Sequence, residues 1–460
     1  MDATTLAYAG AAEQARLIRA GEVSSREVVE ATLARIDRVN PSLNAYRVVL
    51  AERALAEAGQ ADARRKGGDD RPLLGVPVAI KDDVDVAGEA TAWGTAAHAG
   101  PVARDAEVIR RLRAAGAVIV GKTLVPELAM LPATDTITFG SARNPWDLGR
   151  TPGGSSGGSA AAAAAGLCGV ALGSDGAGSI RNPSAWNGLF GLKPTRDRVP
   201  VAPHDDAWQG LSVNGPLARR VADAALFLDA TVACGGFVAA AAAEPGVLRV
   251  AVSLKAPPGT LPRVGREERR AVEETAALLR SLGHEVVERD PAYPPSLWPA
   301  ALVRILRGIS DDVRASMPHP ERLEARTRRI AALGGALPAG AVRWARAAEA
   351  AQAAQLAKLW EDVDVLLTPA AADGPYRAGV VGRWGTPTFL ARGAERLTWM
   401  PAWNVTGQPG ASVPAGFDDD GLPVGVQLVG RAGEDARLLS LAAQIEVARP
   451  WIDRRPGAFA

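Results

Sequence analysis

The segment from Thr151 to Arg181, TPGGSSGGSAAAAAAGLCGVALGSDGAGSIR, constrains this chain more than any other. It holds two small-residue turns that carry serines, Gly153-Gly154-Ser155-Ser156-Gly157-Gly158 and Gly173-Ser174-Asp175-Gly176-Ala177-Gly178-Ser179. Between them lies an alanine-rich stretch that reads as a packed helix followed by a strand. Glycine at this density is costly in a regular element, because it loses more backbone freedom on ordering than any other residue. Two such turns around a strong helix former imply backbone bent to aim hydroxyls and bare N–H groups at one spot.

The rest of the chain reads as alternating helix and strand. Ala11 to Ala20 is a helix stopped by Gly21. Ser24 and Glu27 form a capping box for a second helix, which Asn40-Pro41 is expected to end. LGVPVAIK, Leu74 to Lys81, and GAVIVG, Gly116 to Gly121, read as buried strands flanking a helix from Asp105 to Ala115. Further helices are expected at 218–229 and 267–282, and strands at 248–254, 285–288, 364–368 and 424–429. Residues 294–360 read as an inserted helical region rich in Ala and Arg. This alternation predicts an α/β fold: a large mixed, mostly parallel β-sheet core covered on both sides by helices. We expect one domain over 1–460, with an N-terminal helical portion at 1–70, a catalytic core at 71–235, and a variable region at 294–400 that shapes a pocket.

Composition narrows the function. The formal net charge is +1, so no global field favours nucleic acid or an anionic membrane. No run of 18 apolar residues predicts a membrane span, and the N-terminus lacks the pattern of a signal peptide. Two cysteines cannot build a disulfide framework, and a reducing, cytoplasmic setting is expected. The four histidines are isolated in sequence, so neither a metal nor another cofactor is expected.

The chemistry centres on Ser179. The preceding Gly176, Ala177 and Gly178 can turn successive N–H groups into an anion-holding nest beside its hydroxyl. A serine still needs a base. One route is the G-x-S-x-G pattern at 154–158, with Ser156 as nucleophile and a histidine as base, but the prolines before it do not read as the strand that pattern requires. The other route is a lysine. Only six are present, and Lys81 ends an apolar strand, where loss of water pushes an amine toward a usable base. No S-x-x-K pair occurs, so such a lysine would come from a distant strand through a second serine.

Taken together, GGSSGGSAAAAAAG, GSDGAGSIR and the upstream strand ending in Lys81-Asp82 closely resemble the amidase signature family. Asn144-Pro145-Trp146-Asp147, Gly191-Leu192-Lys193-Pro194-Thr195 and Asn404-Val405-Thr406-Gly407-Gln408-Pro409 extend the resemblance over about residues 5–450. The resemblance implies a Ser–cis-Ser–Lys triad: Ser179 as acylated nucleophile, Ser155 as bridging serine on a cis peptide, and Lys81 as base. It places the oxyanion among the backbone N–H groups of Gly176, Ala177, Gly178 and Ser179. The serines at 155 and 179 keep the family spacing. Ala177 departs from the family, which has glycine there, and adds a methyl group near the scissile carbonyl.

Around this core, Asp175 and Arg181 are expected to pair across the turn. Ser156 and Ser159 are expected to serve the turn and helix cap. Lys193 and Cys168 are expected to be structural, and Asp82 and Asp83 to orient the strand end. Met130, Trp399, Met400 and Trp403 are candidates for a substrate pocket. The expected function is a stand-alone amidase acting on linear amides, extending to aryl or alkyl amides, esters or carbamates (urethanes). The alternative is the glutaminase subunit of a tRNA-dependent amidotransferase, for which the tryptophan-bearing segment 395–403 is a poor host because glutamine's zwitterion needs paired charges. A non-catalytic binding protein is disfavoured by the intact Lys81, Ser155 and Ser179. The expected partner is a small-molecule amide or carbamate, with no nucleic acid or membrane, and the protein is expected as a monomer or homodimer.

Overall fold

A computed structural model describes residues 2–204, 206–260 and 263–459. Thirteen strands are present among them: β1 (Tyr46–Val49), β2 (Pro77–Lys81), β3 (Val118–Thr123), β4 (Asp135–Thr136), β5 (Gly140–Ser141), β6 (Val170–Asp175), β7 (Phe190–Lys193), β8 (Val213–Ala218), β9 (Arg249–Val252), β10 (Glu285–Glu288), β11 (Val365–Pro369), β12 (Gly410–Phe417) and β13 (Pro423–Gly430). Eleven form one mixed sheet in the order β1-β3-β2-β6-β8-β7-β12-β13-β11-β9-β10, and β4 and β5 form a separate hairpin. Pairing is parallel among β3, β2 and β6 and again among β11, β9 and β10, with antiparallel pairing through the centre.

Side-chain alternation along the strands explains why both faces are covered. In β2 and β6, Val78, Ile80, Val170 and Leu172 join one hydrophobic cluster with the helices Ala11–Ala20, Glu107–Ala114 and Val221–Thr231. Their neighbours Ala79 and Ala171 face the other way, onto the helix Gly157–Ala164. That helix is buried at every residue, and only small side chains let it lie this close to the sheet. The period of two puts Lys81 on the same face as Ala79, toward the N-terminus of this helix and Ser155.

Several boundaries differ from the sequence expectation. The helix capped by Ser24 does not end at Asn40-Pro41; it runs from Ser25 to Leu43. The expected chain reversal occurs one turn later, where Asn44 adopts a left-handed φ of 50° and the Asn40 side chain accepts the N–H groups of Ala45 and Tyr46. Proline near a helix end removes one N–H donor without forcing a stop. Strands β7, β8 and β12 carry Gly within short runs, with Pro also in β8 and β12, and give no clear strand signal in sequence, yet they fill the centre of the sheet. The region 294–360 is helical as expected, with helices Leu297–Ser316, Ala325–Gly335 and Ala339–Ala357.

Candidate active site

The parallel pairing of β2 with β6 brings Lys81, at the end of one strand, beside Ser174, near the end of the other. Lys81 is fully buried. Its Nζ donates to Ser155 Oγ at 2.7 Å and to Ser174 Oγ at 2.7 Å. Asp83 Oδ2 lies 3.1 Å from the same Nζ and accepts from Ser174 Oγ at 2.5 Å. Burial pushes the lysine below its ordinary range; Asp83, and behind it Asp175, oppose that shift without cancelling it. An amine held this way, 2.7 Å from a hydroxyl, can take that hydroxyl's proton.

Ser155 follows a cis peptide bond at Gly154–Ser155. The next residue, Ser156, ties the two turns together: its N–H donates to Ser179 O at 3.2 Å and its hydroxyl to Ser174 O at 3.1 Å. Ser156 is thus committed to holding the turns, and Ser159 bonds Leu172 O and Thr123 Oγ1. Ser155 and Ser179 both line one cavity, together with Asp83, Ser174, Trp208 and Asp312.

A buried ion pair shapes the turn before Ser179. Arg181 donates to both oxygens of Asp175, each at 2.9 Å, and both side chains are fully buried. The remaining guanidinium donors reach Asn404 Oδ1, Gln427 Oε1 and Met400 O. Burial raises Asp175, but Arg181 and Asn404 outweigh it and hold the carboxyl well below the usual range. Asp175 also accepts the N–H of Gly178 at 2.6 Å and of Ile180 at 3.1 Å.

This last contact corrects one sequence expectation. The Gly178 N–H is engaged by Asp175, so it is not free to join a nest beside Ser179. Within the described residues no protein acceptor bonds the N–H groups of Gly176, Ala177 and Ser179. Gly178 is needed for shape instead. It alone in the turn has a left-handed φ, 122°, and a Cβ there would lie 2.3 Å from Met400 Sδ. Ala177 keeps a negative φ, so alanine is accommodated without backbone strain.

On the other side of Ser179 lies a second chamber, open to solvent in part, and Met130 lines it. Trp399, Met400 and Trp403 do not; all three are fully buried behind the turn. Trp399 Nε1 donates to Lys255 O, Met400 packs on Gly178, and Trp403 lies in an aromatic group with Tyr293 and Trp360. Proximity in sequence to a motif does not reveal which way a side chain faces. The chamber wall comes from Trp298, Leu302, Ile305 and Leu306 on helix Leu297–Ser316 and from Phe389 and Leu397.

Sequence reasoning missed two residues of this site. Ser174 sits near the end of β6, and only the pairing of β2 with β6 brings it onto Lys81; Asp83, expected to orient the strand end, lies against the Lys81 amine. Trp208 lies between the two spaces and lines both, with its ring against Gly176, where a Cβ would be 2.8 Å from Trp208 Cε3. It holds a left-handed φ of 54°, and its Nε1 donates to Asp312 at 3.1 Å. No local sequence signal marks it. Lys193 is buried with its Nζ on Pro194 O, and burial, with Arg181 nearby, pushes it down to about 7. Lys122 is likewise buried, 2.9 Å from Asp82, which also pairs with Arg47. Among the described residues no histidine hydrogen-bonds Ser156, although His204 lines the cavity that holds Ser155 and Ser179.

A buried lysine bonded to Ser155 and Ser174, with Ser179 in the same cavity and unengaged N–H groups beside it, thus forms the candidate site. The sequence profile of the family described as Amidase matches residues 27–439, and the chain belongs to this family, whose members hydrolyse carbon–nitrogen amide bonds. It is 56% identical over 460 residues, 99% of each chain, to "Putative amidase AmiB2" of Mycobacterium tuberculosis. It is 34% identical to the 6-aminohexanoate-cyclic-dimer hydrolase of Paenarthrobacter ureafaciens, over 97% of this chain and 96% of the relative. Among solved structures, a 6-aminohexanoate cyclic dimer hydrolase complexed with substrate superposes with a TM-score of 0.90 at 31% identity, covering 99% of this chain and 100% of that one. A bacterial aryl acylamidase of the amidase signature family superposes with a TM-score of 0.87 at 26% identity, covering 96% and 97%.

Proposed function

We propose that this protein hydrolyses small-molecule linear amides through a seryl acyl-enzyme, with Ser179 as nucleophile, Ser155 as proton relay and Lys81 as base. The observation that carries this reading is the 2.7 Å contact between buried Lys81 and Ser155 on the wall of the cavity that Ser179 also lines. Neutral Lys81 takes the Ser155 proton as Ser155 takes that of Ser179. Ser179 Oγ bonds to the carbonyl carbon, and the N–H groups of Gly176, Ala177 and Ser179 hold the resulting oxyanion. The C–N bond then breaks, and the proton returns through Ser155 to the leaving nitrogen. Water, activated by the same relay, cleaves the ester to release the acid and regenerate Ser179. Esters and carbamates present the same carbonyl and fall within the proposed scope. The chain acts as one catalytic domain over 1–460, in the cytoplasm.

The glutaminase alternative finds no support in the site. The carboxylate of segment 395–403, Glu395, sits at the surface and pairs with Arg392. A fluorophosphonate probe tests the proposal. Labelling of the wild type and its loss in Ser179→Ala are expected, together with release of amine from a panel of anilides, primary amides, esters and carbamates. Retained labelling in the variant, or ammonia released from glutamine alone, would overturn it.

A further inference from the structure

The two spaces that meet at Ser179 differ in chemistry. The cavity shared with Ser155 carries the carboxylates of Asp83 and Asp312, the His204 ring, the hydroxyls of Ser174 and Ser212, and Asn214, set among apolar groups that include Val84, Trp93 and Trp208. The chamber beyond it has no charged side chain among the described residues on its wall, and Ser179 is its sole hydroxyl. Trp208, Trp298, Leu302, Ile305, Leu306 and Phe389 are among the residues on its wall. Ala177, the departure from glycine in the oxyanion turn, adds its methyl group to this apolar wall.

Resting on the hydrolase reading above, we infer that the chamber is an acyl site for an uncharged hydrocarbon chain, alkyl or aryl, and that the amine half of the substrate occupies the polar cavity. The orientation follows from the proton path. The leaving nitrogen must receive its proton from Ser155, and Ser155 lines the polar cavity but not the chamber. The carbonyl sits at Ser179 under the Gly176–Ala177 turn, so the carbon on its far side points past Ala177 into the chamber. A charge at the end of that chain would lose its water and meet no counter-ion on the described wall. Hydrocarbon, in contrast, gains with every methylene removed from water.

A matched series of p-nitroanilides with acyl chains from two to twelve carbons tests this on the full-length protein, with a second series that holds a hexanoyl group and lengthens an alkylamine instead. Each added acyl methylene should raise kcat/KM about fourfold until the chamber is full, while lengthening the amine should change it little. An adipoyl amide, carrying a terminal carboxylate, should be cleaved at least tenfold less efficiently than its hexanoyl counterpart. Leu302→Trp, which places a larger side chain on the chamber wall, should shorten the preferred acyl chain. Equal rates for acetyl and octanoyl substrates, efficient cleavage of the adipoyl amide, or length dependence in the amine series instead would overturn the inference. Those results leave the hydrolase reading standing. Absence of turnover on every substrate, with no labelling of Ser179, would remove both. The wild-type series decides the matter even if Leu302→Trp does not fold.

Discussion

The signature turns and the chamber wall meet at Ser179 but are held by different physics. The turns are a closed polar network. Arg181 and Asp175, both without solvent exposure, satisfy each other and draw in Asn404, Gln427 and the backbone of the turn. The wall is apolar packing from helix Leu297–Ser316 and the segment 386–401, and parts of it, such as Leu390 at 41% exposure, reach solvent. Directional bonds fix where a hydroxyl and an N–H point, which chemistry requires. Packing fixes only a volume, so that region can change its substrate without losing the reaction.

Substitutions in the turns should therefore act on rate and folding, and the largest effect after loss of Ser179 itself is expected at Lys81. Lys81→Ala should lower kcat/KM by about 10²- to 10⁴-fold. Lys81 in its proposed role acts when neutral, so the wild-type rate should climb as pH rises through the lysine's lowered pKa; the variant should lose that climb. A parallel pH profile in the variant would break the assignment of the base.

Arg181→Met tests whether the turn depends on its ion pair. It leaves Asp175 buried without its counter-charge, which should cost about 3–5 kcal/mol, read as a fall in Tm. Because Asp175 is held below its unfolded value, its contribution is present above about pH 4 and lost as pH falls toward the lowered pKa. The wild type should accordingly lose more stability than the variant on acidification. An unchanged Tm would mean that packing, rather than the polar network, holds the turn.

Asp83→Asn is a smaller perturbation. Asp83 raises Lys81, so its removal should move the climbing limb of the pH profile to lower pH by about one unit. No shift would mean that Ser174 alone positions the amine. The smallest effect is expected for Ala177→Gly. Its φ is already negative, and only a methyl group is lost, so the rate should change by less than about tenfold, with weakened binding of short acyl chains. A larger loss would show that the two regions are coupled through this methyl group.

The site was legible where a local pattern carries the chemistry. The serine turns, the strand ending in Lys81, the Asp175–Arg181 pairing and the alanine helix all follow from short stretches of sequence. One partner of Lys81 was not legible in this way. Ser174 reaches the amine because β2 and β6 are neighbours in the sheet, a long-range pairing that no local period encodes, whereas Asp83 follows Lys81 closely in the chain. Trp399, Met400 and Trp403 misled for a related reason: they adjoin a motif segment, yet their side chains fill the space behind the turn. Met130, in contrast, does face the chamber.

By itself the sequence determined the class of fold and marked the serine turns and Lys81 as candidates for the chemistry, because turn chemistry, strand period and small-residue helices are local preferences. The tertiary structure alone decided which N–H groups are available beside Ser179, since Asp175 captures that of Gly178. It also decided the polarity of the two spaces, because residues around 83, 130, 208, 302 and 389 become neighbours only through folding. Burial and counter-charge set the state of Lys81, and both depend on what the whole chain packs around it.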